Sequence, residues 1–256
     1  MKDETPQVVA EKLGSPINFK IIAVIAGLVL GFHFLVNYSE GSDALIYGFS
    51  MIIPLAVSVF AFVTSRRYSG TIVYSKAYVM LGIAFLLMFF AEFTYFVYEQ
   101  FLDLDPYPSI ADVFFFVFYP MILAYLIINL KFFAPQISKS GYAVIFGTPV
   151  VATLTYVYLT FSDFGSFDFY YGIIFVAAAS VTLGLSFHTA KIFKGGLIGT
   201  AWLILLIGII INVIGDVWYY YIEVIGEYSL ADPVNLCWYS AYLLILYALY
   251  KHKAAL

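Results

Sequence analysis

The sequence predicts an all-α, polytopic membrane protein with eight transmembrane helices, built as two parallel four-helix repeats. Three observations lead there. Of the 256 residues, 63% are hydrophobic and only 11% charged, where an ordinary soluble domain is about a quarter charged. The apolar residues fall into blocks, each long enough to cross a hydrocarbon layer that takes about 20 helical residues. Part of the chain also matches itself at an offset of 120 to 124 residues. One cysteine, Cys237, excludes a disulfide scaffold, and the apolar blocks exclude a disordered polar chain. Spanning β-strands would be about ten residues long and alternate in polarity, which none of the blocks does.

Residues 1–18 form a polar tail with Lys2, Asp3, Glu4, Glu11 and Lys12 ahead of Pro16. No short apolar core with a small-residue cleavage site follows a basic start, so the tail does not read as a secretory signal. The apolar blocks then run at 19–37, 44–64, 77–99, 109–131, 141–161, 169–189, 199–223 and 230–250. Eight spans of about 20 residues take up roughly 160, which leaves short connections and no room for a soluble catalytic or output domain. Gly27-x-x-x-Gly31 in the first span favours close helix packing. Asn37-Tyr38-Ser39 fits the glycosylation pattern but hugs the membrane edge.

The two signs of charge separate. Every Lys and Arg falls in the tail, the second, fourth and sixth connections, or the C-terminus: Lys2, Lys12, Lys20, Arg66, Arg67, Lys76, Lys131, Lys139, Lys191, Lys194, Lys251 and Lys253. Both termini are therefore expected to be cytoplasmic. Past the tail, acids such as Glu40, Asp43, Asp103, Asp105, Asp163, Asp168 and Glu227 sit in the odd connections or at the outer ends of spans. The net charge of −4 thus divides into a basic inner face and an acidic outer one.

In the self-match, Ala91-Glu92-Phe93-Thr94-Tyr95 running on to Glu99 overlies Gly215-Asp216-Val217-Trp218-Tyr219 running on to Glu223. After a connection four residues shorter, Ser109-Ile110-Ala111-Asp112 overlies Ser229-Leu230-Ala231-Asp232, followed by Tyr119 on Tyr239, Leu123 on Leu243, Leu126 on Leu246 and Lys131 on Lys251. Spans three and four thus match seven and eight. Four is even, so the halves enter and leave on one side and are related by a pseudo-two-fold axis along the membrane normal. The expected organisation is a tail over 1–18, a first four-helix repeat over 19–133 and a second over 141–256.

Carboxylates inside a span are expensive and mark function by default. Only the third and seventh spans carry them. Glu92, Tyr95 and Glu99 share one helical face, and Asp216, Tyr219 and Glu223 repeat that face. No Lys or Arg lies mid-span to neutralise them, which also excludes a retinal Schiff base. Dry, such acids are protonated glue between helices; wet, they take up a cation or a polar ligand. Asp112 and Asp232, each three residues after a serine, read as capping boxes at helix starts, with Asp232 alternatively the cap itself ahead of Pro233. Both lie at the outer level of the embedded acids and join the candidate set.

His33, His188 and His252 are scattered without metal-ligand spacing, so whether the cation is a metal ion is left open. No cofactor, nucleophile motif, phosphate loop or nucleic-acid-binding pattern is present. Aromatic residues crowd the outer level, including Tyr98, Trp218, Tyr220, Tyr221 and Trp238. An interfacial belt accounts for most of them, and beside carboxylates they also suit a cationic organic ligand.

The stretch Tyr95 to Pro120, above all Asp105-Pro106-Tyr107-Pro108-Ser109-Ile110-Ala111-Asp112 leading to Tyr119-Pro120, resembles the multi-pass sensor regions of prokaryotic diguanylate cyclases and histidine kinases. The resemblance covers about 30 residues, with an echo at Asp216 to Tyr239, and implies a sensor-like membrane module of unspecified ligand. It departs from that family in having no output domain after Leu256, and it brings no catalytic residues. A looser similarity, through Glu92 and Asp216, is to the eight-span lysoplasmalogenases. The expectation is a membrane binding module, sensor-like or transport-like, that recognises a cation or small polar ligand in an outward acidic and aromatic vestibule. The alternatives are an intramembrane lipid hydrolase with Glu92 and Asp216 as acid and base, and a structural subunit bound to a partner membrane protein.

Overall fold

A peptide group in hydrocarbon has no water to bond, so each apolar block closes its backbone hydrogen bonds within itself as a helix. The computed structural model describes residues 17–38, 43–133, 136–191, 196–226 and 228–254. Lys2, Lys12, Ser39, Glu40, Lys194 and Glu227 lie outside the described residues. Eight helices are described: α1 Phe19–Tyr38, α2 Asp43–Arg67, α3 Ile72–Val97, α4 Ile110–Phe133, α5 Lys139–Leu159, α6 Phe167–Ala190, α7 Gly196–Ile225 and α8 Asn235–Ala254. Among the described residues there is no strand. Seven of the helices are long and apolar enough to cross a membrane, the architecture of a multi-pass helical membrane protein.

The helix outside those seven is α8. The eighth span is expected over 230–250, but the helix starts at Asn235 and ends at Ala254. It exchanges Leu230, Ala231 and Val234 for Lys251, His252 and Lys253, and its apolarity falls accordingly. It is nevertheless deeply enclosed, with Tyr239, Ala241, Tyr242, Ile245, Ala248 and Leu249 all buried. A helix walled in by other helices need not match the lipid.

Six helices close a ring. α2 packs on α3, α3 on α4, α4 on α6, α6 on α7, α7 on α8, and α8 returns to α2. The remaining two lie outside it, α1 against α8 and α5 against α6. α1 buries only Ile25 and Val29, and Val24, Leu28 and Phe34 face outward. α5 likewise exposes Phe146, Val150 and Leu154, surfaces suited to acyl chains. The ring's centre is filled by Leu81 and Phe85 of α3, Ile122 and Leu126 of α4, Leu205 of α7 and Ile245 of α8. Phe85 meets Phe118 and Tyr242 edge-on at 5.5 and 5.7 Å, closing the core beneath the acidic level.

Two glycines set the spacing of α7 and α8. A Cβ on Gly208 would come within 2.6 Å of Ile245 and 3.0 Å of the Ala241 carbonyl; on Gly215 it would come within 2.9 Å of the Cys237 Cβ. Without side chains at these positions the helices approach closely enough for α8 side chains to reach polar groups on α7.

α3 departs from its expected span at both ends. It begins at Ile72 rather than near Ala77, and beyond Val97 it widens into a π-turn over Tyr98–Leu102 that stops at Asp103 in the left-handed region, φ 52°. Such widened turns recur where a helix serves a site.

Candidate ligand-binding cavity

Glu92, Tyr95, Glu99, Asp112, Asp216, Tyr219 and Glu223 all line one cavity of about 440 Å³. Its walls come from α2, α3, α4, α7 and α8, and its mouth from Asp105, Pro106 and Tyr107 after α3 and from Tyr228 and Leu230 after α7. The candidate left outside is Asp232. Its carboxylate accepts the Ser229 backbone N–H at 2.6 Å, the contact that Asp112 makes with Ser109 at the same distance. The two motifs share this local geometry but diverge in the backbone beyond the serine. α4 starts directly at Ile110, with the Ser109 hydroxyl accepting the Ala111 N–H at 3.2 Å. After Asp232 the chain winds through tight turns, Asn235 to Asp232 and Leu236 to Pro233, before α8 begins. Asp232 thus sits three residues ahead of α8, at the head of a run of tight turns that leads into it, with Pro233 at a position whose missing N–H costs no helical bond.

The four embedded or capping acids on the wall are held differently. Asp112 is buried and satisfied by its cap. Asp216, also buried, accepts the Trp238 indole N–H at 2.8 Å on one oxygen and the Asn212 amide at 2.9 Å on the other. Gly215 next to it gives Trp238 the room to do so, since a Cβ there would lie 3.0 Å from that indole nitrogen. Glu92 accepts no hydrogen bond from any described residue; it lies five residues, roughly 7 Å at 1.5 Å per residue, below the end of α3 at Val97, and its partly exposed side chain faces the cavity. Glu223 stands beside Tyr219, nearer the mouth.

Around these acids the wall is aromatic. Twelve of its residues are Tyr, Phe or Trp, six are Asp or Glu, and none is Lys or Arg. The Tyr95 and Tyr219 side chains lie side by side. Tyr219 packs on Tyr228 at 5.1 Å and on Trp238 at 5.7 Å, and Tyr95 on Phe115 at 5.5 Å. Tyr119 of α4 approaches Asp216 of α7, while Tyr239 of α8 lies on the Glu92 side and shares a 3.1 Å hydrogen bond with Ser50 of α2. Tyr47, 2% exposed, lies with its hydroxyl beside Glu99.

The mouth is tied down by polar contacts. Tyr107 donates its hydroxyl to Asp168 at the start of α6, 3.1 Å, and its backbone N–H to Asp105, 2.9 Å. Tyr228 donates to the Asn235 side chain at 3.0 Å, and Asn235 in turn donates to the Leu230 and Asp232 carbonyls. Burial, with Asp168 adjacent, pushes the Tyr107 hydroxyl above its ordinary range, so it stays a donor at neutral pH.

Several wall residues were not legible as such. Tyr47 and Ser50 come from a span with no embedded charge, and Tyr242 reads as one more apolar-facing aromatic. Asn212 carried a usable signal, a second polar residue one turn before Asp216 on the same face. The histidines stay apart: His33 lies 3.3 Å from the Asn37 side chain, and His188 and His252 are buried in packing. Among the described residues no three His, Cys, Asp or Glu converge as a metal cage. Comparison with protein-family models, curated proteins and solved structures found no match to this chain.

Proposed function

We propose that the chain is a membrane binding module, sensor-like or transport-like, whose outward-facing cavity takes up a cation or small polar ligand. The observation that carries this reading is the convergence of six carboxylates and twelve aromatic rings on one 440 Å³ cavity whose wall has no basic residue. Field lines from like charges add in a low-dielectric cleft, which concentrates cations there. The volume matches a small-molecule site rather than a packing defect.

The same reading takes the molecule as two parallel four-helix repeats with cytoplasmic termini. Support for the repeat lies in the ring, and covers three helices of each half: exchanging α2 with α6, α3 with α7 and α4 with α8 turns its packing order into itself, while α1 on α8 and α5 on α6 do not exchange. Tyr95 and Tyr219, matched in sequence, lie side by side, as residues near a two-fold axis do. The cavity then sits on the axis and is shared by both halves rather than duplicated. Support for the orientation is that Arg66, Arg67, Lys131, Lys191 and Lys251 gather at helix ends remote from the cavity mouth. A sensor-like role also accords with the resemblance over Tyr95 to Pro120.

The test is the melting temperature of the purified chain in detergent across alkali and alkaline-earth ions, organic ammonium ions and neutral polyols. A ligand of the cavity raises it in a concentration-dependent way, and Glu92→Gln removes the rise. If nothing in the panel shifts it, the binding reading fails.

A second reading, an intramembrane lipid hydrolase resembling lysoplasmalogenase, draws support from Glu92 and Asp216 lining one cavity instead of separate ones. Two carboxyl groups in different surroundings, Asp216 hydrogen-bonded and Glu92 not, suit division into acid and base. Cleavage of a lysolipid, lost in both Glu92→Gln and Asp216→Asn, would put this reading first.

A further inference from the structure

We infer that the ligand of the cavity is a substituted ammonium ion with no negative charge of its own, with Glu92 as its counter-charge. The inference rests on the binding reading above and narrows it. Three candidate classes fit an acidic cavity: metal ions, zwitterions and organic cations. They differ in what they require from the wall.

A metal ion requires several oxygen ligands converging at about 2.0 to 2.6 Å. Asp112 and Asp216 already accept hydrogen bonds from Ser109 and from Trp238 with Asn212, and among the described residues no cluster of three ligating side chains forms. The acids ring the cavity instead of closing on one point. A zwitterion such as an amino acid or a phospholipid head group would bring its own anion into a wall of six carboxylates without a Lys or Arg, an unpaired charge out of water. An organic cation has neither difficulty. Its ammonium takes the one deep carboxylate that no described protein group satisfies, and its alkyl substituents rest against tyrosine faces, where cation–π attraction adds to burial.

Glu92 turns its partly exposed side chain into this space, and no described residue donates a hydrogen bond to it. The Tyr47 hydroxyl, wholly enclosed, lies beside Glu99 instead. Tyr239 and Tyr242 lie within electrostatic reach of Glu92 and supply the aromatic surface beside it. At about 440 Å³ the cavity has ample room for a trimethylammonium group with a short tail.

The experiment compares choline chloride with glycine betaine, which carries the same trimethylammonium group on a carboxylate, and with calcium chloride. Binding to the intact chain in detergent is measured by calorimetry. Choline is expected to bind at least about tenfold more tightly than betaine, a margin set by the carboxylate's unpaired burial, and Glu92→Gln is expected to weaken choline by a similar factor. Equal binding of choline and betaine overturns the inference. So does calcium binding that depends on Glu92 without choline binding, though that result leaves the broader cation reading standing; silence from all three probes removes both. The choline to betaine ratio is read on the unaltered chain, so a poorly folding variant does not blunt the test. Lysophosphatidylcholine serves as a further arm, and binding as tight as choline would move the assignment to a lipid head group and overturn the requirement for no negative charge.

Discussion

Glu92 and Asp216 occupy matched positions in sequence, yet the protein treats them as different groups. Asp216 is an acceptor with two donors assigned to it, and Glu92 has none among the described residues. Replacing Asp216 by Asn keeps one acceptor oxygen but turns an N–H₂ toward either the Trp238 indole or the Asn212 amide, leaving a buried donor unpaired. The expected cost is about 1–3 kcal/mol, read as a melting temperature several degrees below the parent. Glu92→Gln breaks no described protein hydrogen bond and should leave the ligand-free melting temperature within about one degree. Equal destabilisation by both would contradict the assignment. Sequence reading finds both acids through the rule that charge in a span is costly, but gives them one role. Their partners Trp238 and Asn212 are a helix apart and a turn apart, and only the approach permitted at Gly215 makes the first of them a donor.

At the scale of the helix, the start of α4 and the approach of α7 to α8 each depend on one small feature. Asp112→Ala removes the acceptor of the Ser109 N–H and one half of the cap, at a cost of about 1 kcal/mol. It should show as faster amide exchange confined to the first turn after Ser109. Asp232→Ala removes the acceptor of the Ser229 N–H in the connection ahead of α8 and should leave exchange in α8 beyond its first turn unchanged. Gly215→Val drives a branched side chain against Cys237 and Trp238, and overpacking of this kind costs about 1–3 kcal/mol. Its signature is a change in tryptophan fluorescence as the Trp238 indole leaves Asp216. The spans themselves were readable because hydropathy sets them. The late start of α8 was not, since Leu230, Ala231 and Val234 look as spanning as the residues beyond, and only the turns after Pro233 exclude them. The π-turn of α3 was equally silent: nothing in Tyr98-Glu99-Gln100 distinguishes a widened helix from a regular one.

For the molecule as a whole, the separation of basic and acidic ends yields a topological prediction. In a Cys237→Ser background, single cysteines at Asp105 and Asp163 should react with an impermeant thiol reagent on intact cells, while cysteines at Ser69 and Lys191 should react only after permeabilisation. The reverse pattern would invert the orientation. The ring carries another consequence, for biogenesis. The seven helices apolar enough to enter a bilayer unaided include α1 and α5, which contribute nothing to the cavity wall, but not α8, which contributes Asn235, Trp238, Tyr239 and Tyr242. One of the helices that build the cavity wall is thus the one lipid is least ready to accept alone, and it becomes a comfortable resident only between α7 and α2. Seating of α8 in the ring and completion of the cavity wall are therefore one event.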